Sequence, residues 1–306
     1  MRELRLKARA KINLTLDVTG KREDGYHLIK SIMQTVSLYD GIYMKRIRNN
    51  EIIIKTTVSW LPTDNRNLAY RAAELMKAKF DITEGVFIEI DKRIPVAAGL
   101  AGGSADCAAV LVGMNRLFGL ELTMMELKDL AFLLGSDIPY CVQRGTMLSE
   151  GVGEILTPVK YLCPMCYVVL AKIPVSVSTA TVYQGLNWQG LKNHPDAEGM
   201  IQAMGEEDIT KMAGFLGNVL ETVTIPMYPK IAQLKEEMVR LGAEGALMSG
   251  SGPTVFGLFK EEEKAKQAAA TMRRKFGLKE VVATKIYHGN DGRRGEDGDG
   301  RNEIYH

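Results

Sequence analysis

The chain has 306 residues, 46% hydrophobic and 25% charged, enough to bury a sizeable core and to divide into about two domains. Lysine and arginine number 39 against 37 aspartates and glutamates, so no net field argues for a nucleic-acid partner or an anionic membrane surface. No apolar stretch is long enough to span a bilayer, and residues 1–7 alternate charge and hydrophobe instead of forming a signal peptide, so the expected compartment is the cytoplasm.

Residues 4–18 alternate almost without a break, with Ile12, Leu14, Leu16 and Val18 on one face and Lys11, Asn13, Thr15 and Asp17 on the other; this predicts a long strand with one wet face. Residues 21–25 make a turn, and 26–37, 41–47 and 51–58 read as further strands. Asn65 to Leu68 leads into a helix ending near Phe80, and 86–90 returns as a strand. After a glycine-rich loop and its helix, Thr123 and Glu126 form a capping-box start for a helix to about Leu134, which residues 135–139 break. The pattern restarts near Tyr161: a strand at 167–171, a helical region to Leu220, a helix over 229–241, a glycine-rich strand-loop-strand over 242–259, a helix over 261–276 and a strand over 281–286. The domain boundary falls near Pro158, and the tail 288–306 has almost nothing to bury and is expected to be disordered.

Cys107, Cys141, Cys163 and Cys166 are too few for a disulfide scaffold; Cys163 and Cys166 have redox-motif spacing but open an apolar run, so buried structural cysteines are expected. The histidines at 27, 194, 288 and 306 show no metal-ligand spacing.

The most informative stretch is PVAAGLAGGSAD at 95–106. Three glycines and four alanines clear side chains from a loop that runs into a helical apolar pattern, so backbone amides and the positive helix end can meet a phosphate. Ser104 or Asp106 is positioned to cap that helix. A close-packed strand-to-helix turn would account for the composition equally well. Neither the P-loop ending nor the dinucleotide fingerprint is present. Elsewhere Lys11 and Asn13 share a strand face, Asp137 sits in Gly-Ser-Asp-Ile-Pro where a turn or cap would also explain it, and residues 249–254 form a loop short of side chains.

Taken together these pieces resemble the galactokinase, homoserine kinase, mevalonate kinase and phosphomevalonate kinase superfamily, the GHMP kinases. ARAKINL at 8–14 matches its first motif, 95–106 its phosphate loop and MSGSGPT at 248–254 its third. REDGYH at 22–27 is similar to the branch acting on a cytidine diphosphate ester of methylerythritol. The resemblance runs from about residue 5 to 286. It implies an α+β, two-lobed fold, with a ribosomal protein S5 domain 2-like N-terminal lobe over 1–158 and a ferredoxin-like C-terminal lobe over 159–287. The implied activity is ATP-dependent phosphorylation of the 2-hydroxyl of the methylerythritol moiety, in the non-mevalonate isoprenoid route, with ATP and Mg2+ as cofactors. Small molecules would be the only partners of a monomer or weak homodimer.

By the same resemblance Asp137 is the base and Lys11 holds charge, while Asn13 orients the hydroxyl. Tyr26 and Tyr183 stack on a cytosine, His27 bonds its edge and Thr179 lines the pocket. ATP falls to Asn67, Leu68, Lys92, Pro95, Gly99, Leu100, Ala101, Gly102, Gly103, Ser104 and Ala105. Ala105 stands where many members have a second serine, which leaves the magnesium ligands unassigned. The rival readings are another small-molecule GHMP kinase, of homoserine or mevalonate type, and a non-catalytic binding protein of the same fold. Gly25-Tyr26-His27 argues against the first, Lys11 and Asp137 against the second.

Overall fold

A computed structural model describes residues 1–288; the tail expectation for 289–306 lies outside the described residues. The first sheet is built on two long antiparallel strands, β1 (Glu3–Lys21) and β2 (His27–Ile47). The expected break between residues 37 and 41 is absent, because the Asp40 carboxylate that interrupts the apolar pattern is held inside the fold by an ion pair instead of turning the chain out to water. On its other edge β2 pairs through its second half with β4 (Gly85–Asp91), which pairs with β3 (Ile52–Thr56), and through its first half with β5 (Thr146–Glu150), followed by β6 (Ile155–Pro158). The sequence reading did not find β5 or β6. One face of this sheet carries α1 (Leu68–Lys79), α2 (Gly102–Phe118), α3 (Met124–Phe132) and α4 (Ile138–Gln143), with the expected capping box at Thr123 and Glu126.

The second sheet is β11 (Glu280–Lys285), β7 (Tyr167–Lys172), β10 (Thr254–Phe259) and β9 (Gly245–Met248), in that antiparallel order. With α9 (Lys230–Arg240) between β7 and β9, and α10 (Glu262–Phe276) between β10 and β11, this is the split β-α-β arrangement of a ferredoxin-like unit. The expected helical region before Leu220 is instead α5 (Thr179–Gly185), a 3-10 turn, α6 (Ala197–Gly205), α7 (Ile209–Gly214) and a two-residue strand, β8 (Gly217–Asn218). β8 adds parallel to β1 at Thr15 and Leu16, joining the first sheet, and α8 (Glu221–Met227) follows it.

The expected wet face of β1 is buried: Lys11, Asn13, Thr15 and Asp17 are all covered. The reason lies in register. The pairing is irregular between Arg9 and Lys11, where four steps of β2 oppose two of β1, and between Asn13 and Thr15, where one step of β2 opposes two of β1, and the faces of β1 exchange at each. Ala8, Leu16 and Val18 therefore enter the core under the helices, whereas Ala10, Ile12 and Leu14 enter a second core against Val168, Leu170, Phe256 and Leu258 of the other sheet. Between the two irregularities Lys11 and Asn13 turn toward the helix layer, where α2 and α4 begin.

Candidate active site

The loop before α2 turns by backbone conformations that side chains disfavour. Ala97, Gly99 and Ala101 all have left-handed φ, at 50°, 73° and 56°, and an alanine there costs about 1–2 kcal/mol. Gly99 also allows close approach, since a Cβ at this position would lie 2.1 Å from the Ser249 carbonyl oxygen. The same loop accepts a 2.9 Å hydrogen bond from Ser249 Oγ at the Gly99 carbonyl, and its Leu100 carbonyl accepts from the Lys11 amide at 3.1 Å. Three separate motifs thus converge on one turn. Ala101 stands at the N-cap with no side-chain bond, which corrects the expectation that Ser104 or Asp106 caps the helix. The amides of Gly102, Gly103 and Ser104 consequently meet no capping group, at the positive end of a 17-residue helix. This is the donor arrangement of an anion site, with Pro95, Leu100 and Ala105 buried around it.

Lys11 emerges from β1 beside this turn. Its ammonium donates to Asn13 Oδ1 at 2.7 Å and lies 3.6 Å from Asp137 Oδ2; Asn13 Nδ2 in turn donates to Ser31 Oγ at 2.8 Å, and Ser31 donates to the Thr15 carbonyl. The pair is asymmetric: the Lys11 side chain is 5% exposed and that of Asp137 38%, so the carboxylate meets solvent and the lysine backs it. Asp137 occupies the N-cap position of α4 yet makes no capping bond, which removes the structural explanation of that residue.

The remaining predicted pocket residues divide. His27 and Tyr183 meet with ring centroids 5.3 Å apart, across the gap between the start of β2 and α5. Burial, then the Asp137 carboxylate, push the Tyr183 phenol up, so the ring pair lies within electrostatic reach of the Lys11–Asp137 pair. Burial, then Lys21, hold His27 below its ordinary value of 6.5 and favour its neutral form. Tyr26 is 62% exposed and meets neither ring. Thr179, capped into α5 by Ser178, shares a 2.9 Å hydrogen bond with Ser251 of the third motif. Leu68 approaches Gly103, while Asn67 spends its side chain capping α1 and bonding the Pro62 carbonyl. Lys92 is turned inward, its ammonium 2.5 Å from Asp40 and 2.8 Å from Asp106.

Sequence reasoning missed Ser31, Ser249 and Asn218. Asn218 donates to the carbonyls of Met248 and Gly250 at 2.8 Å, tying β8 to the third motif. Only Ser249 carried a signal, as the first polar residue of a loop otherwise short of side chains. Among the described residues no three His, Cys, Asp or Glu side chains gather as a metal cluster. No helix is long and apolar enough to cross a membrane among the described residues.

Comparison with known proteins agrees with this geometry. The model of the GHMP kinases N terminal domain matches residues 67–145, and that of the GHMP kinases C terminal domain matches 200–278. A 4-diphosphocytidyl-2-C-methyl-D-erythritol kinase of Lachnospira eligens is 49% identical over 94% of this chain and 99% of its own length. The enzyme of that name from Bacillus velezensis is 50% identical over 85% and 90%. A solved structure of 4-(cytidine 5'-diphospho)-2C-methyl-D-erythritol kinase superposes with a TM-score of 0.79 at 31% identity, covering 92% of this chain and 99% of the other. Homoserine kinase from Cytophaga hutchinsonii, 16% identical with a TM-score of 0.70 and coverage of 94% and 95%, shares the fold alone. A two-sheet α+β fold matched by both domain models, and relatives of this identity over nearly the whole chain, have one meaning: the chain belongs to the GHMP kinases, in the branch of the 4-diphosphocytidyl-2-C-methyl-D-erythritol kinases.

Proposed function

We propose that this chain transfers the γ-phosphoryl group of ATP to the 2-hydroxyl of 4-diphosphocytidyl-2-C-methyl-D-erythritol. The observation that carries the reading is the Lys11–Asp137 pair, with its carboxylate exposed and its lysine buried, the lysine on the strand that bonds the loop before α2 and the carboxylate acting on the Tyr183 phenol. The amides of Gly102, Gly103 and Ser104 bind the phosphates. Asp137 accepts the hydroxyl proton as the new O–P bond forms and the bond from the γ-phosphorus to the bridging oxygen breaks, with ADP as leaving group. Lys11 balances the charge that develops, and Asn13 keeps Lys11 in place. Such a reaction asks the protein mainly for positioning and electrostatics.

Mg2+, when bound with ATP, would supply further neutralisation of the phosphate oxygens, and the Ser104 hydroxyl on the first turn of α2 is the group that would hold it. The cytosine lies against Tyr183 and His27, with Tyr26 free to close over it and Thr179 at the rim. In this reading the ATP-binding lobe is 1–158 and the second lobe 159–287, in a cytoplasmic monomer or weak homodimer. The test is to offer the protein ATP and Mg2+ with a panel of cytidine diphosphate polyols, homoserine and mevalonate. Phosphorylation of the methylerythritol compound alone is the expected result; turnover of homoserine or mevalonate in its place overturns the reading.

A further inference from the structure

Beneath the phosphate loop lies a buried cluster of three charges that the proposed chemistry does not use. Lys92 follows β4, Asp40 stands within β2 and Asp106 lies one helical turn below Gly102 on α2. The ammonium donates to Asp40 Oδ2 and to Asp106 Oδ2. Asp40 Oδ1 accepts from the amides of Arg93 and Ile94 at 2.5 and 2.8 Å, which fixes the segment that enters the loop. A Cβ on Gly102 would lie 3.4 Å from Lys92 Nζ and 3.0 Å from Ile94 Cγ2, so both groups form the floor on which the first open amide rests. One atom is left over: Asp106 Oδ1 is buried and has no hydrogen-bond partner among the described residues.

We propose that Asp106 and Asp40 are positioning residues for the triphosphate, acting through Lys92, whose ammonium they hold under Gly102 so that the amides of α2 face the phosphates at a fixed height. Lys92 then serves ATP through the loop, without touching adenosine. Burial holds the Asp106 carboxyl above the usual carboxylate range, against the pull of Lys92. Burial alone would lower the lysine, but Asp106 and Asp40 outweigh it and keep it charged. A buried ion pair is weak evidence of stability and good evidence of a fixed geometry.

The inference rests on reading the loop as the triphosphate site, and the experiment separates the two. Dissociation constants for ATP and for adenosine are measured by calorimetry on the parent, Asp106→Asn and Asp106→Ala, each with its melting curve. Asn keeps an oxygen on Lys92, so ATP affinity is retained; Ala removes one of the two groups that fix the ammonium, lets it shift toward Asp40 and weakens ATP by about tenfold or more, as expected for a displaced phosphate cradle, with adenosine affinity unchanged. Should Asp106→Ala misfold, Lys92→Met read in the same two titrations takes its place, with the same split expected. Equal losses for ATP and adenosine would overturn the proposal by putting Lys92 on the nucleoside. Unchanged ATP affinity in a folded Asp106→Ala would overturn it by leaving the cluster a purely structural role. A parent that binds adenosine but gains nothing from the phosphates refutes the reading of the loop itself.

Discussion

Replacing Asp137 by Asn separates chemistry from architecture at the one residue where the two explanations competed. The carboxylate makes no capping bond to α4, so the usual capping loss of about 1 kcal/mol does not apply. Its link to Lys11 spans 3.6 Å with the acid 38% exposed, a geometry whose pairing energy is typically about 0–1 kcal/mol once solvent screening is counted. Lys11 also keeps its 2.7 Å bond to Asn13 in the variant. The expected loss of stability is therefore no more than about 1 kcal/mol. A lost general base, by contrast, lowers turnover by about 10²–10⁴-fold, or about 2.7–5.5 kcal/mol of barrier. Steady-state kcat and a urea midpoint measured on the same preparation compare the two directly. A variant with parental turnover refutes the assignment of Asp137, and one that loses activity only in proportion to folded protein refutes the argument that its side chain carries no structural duty.

Tyr183→Ala removes one ring of the aromatic pair and should raise KM for the cytidine substrate by the worth of a base stack, about 1–3 kcal/mol, leaving KM for ATP unchanged in initial-rate assays. Gly99→Ala forces a Cβ to 2.1 Å from the Ser249 carbonyl at a left-handed φ, and should destabilise by about 2–5 kcal/mol in urea melts. Gly103→Ala, whose nearest neighbour would be Leu68 at 3.8 Å, should be neutral or slightly stabilising in the same melts. Because His27 is held below 6.5 in the fold, its neutral form is the native one: affinity for the cytidine substrate should be flat from alkaline pH down to 6.5 and fall only at lower pH, measured by titration in a series of buffers. The contribution of His27 to stability has the same sign, being complete above 6.5 and lost as pH falls below it, because the unfolded chain then takes up the proton first.

Much of this site was legible as short motifs because each needs unusual residues in a fixed order. The small residues of 95–106 announce a backbone that approaches something closely, and the loop at 249–254 does the same; what no local pattern carries is that Ser249 and Gly99 lock these two loops together 150 residues apart. The Thr123 capping box was readable because a cap is a contact within three residues. β8 was not, because two residues have no periodicity, and it forms only where the second lobe returns to β1. The wet face assigned to residues 11–17 shows the limit most clearly. Alternation reads as continuous across a bulge, since the sequence still changes polarity at each step, but the slip exchanges inside for outside. Asp40 misled in the opposite sense, because a charge inside an apolar run normally marks a turn, and its partner Lys92 lies 52 positions away.

Several costs of this architecture fall in one place. Two left-handed alanines, three uncapped amides, a lysine buried against an exposed acid and an orphaned carboxylate oxygen all lie on or beneath the same turn. Each would be removed easily by a local change: glycine at 97 or 101, serine at the cap, leucine at 106. Folding gains nothing from keeping them, since a domain has only about 5–15 kcal/mol of net stability and each costs on the order of 1 kcal/mol or more. A bound polyanion alters that account, because it supplies partners to the amides and balances the ammonium groups in a single event. The two register shifts that flank Lys11 and Asn13 belong to the same logic. Without them Lys11 and Asn13 would point into the apolar layer shared with the second sheet; with them, the polar face of one strand is delivered to the start of two helices, where a phosphate acceptor and its donor must meet.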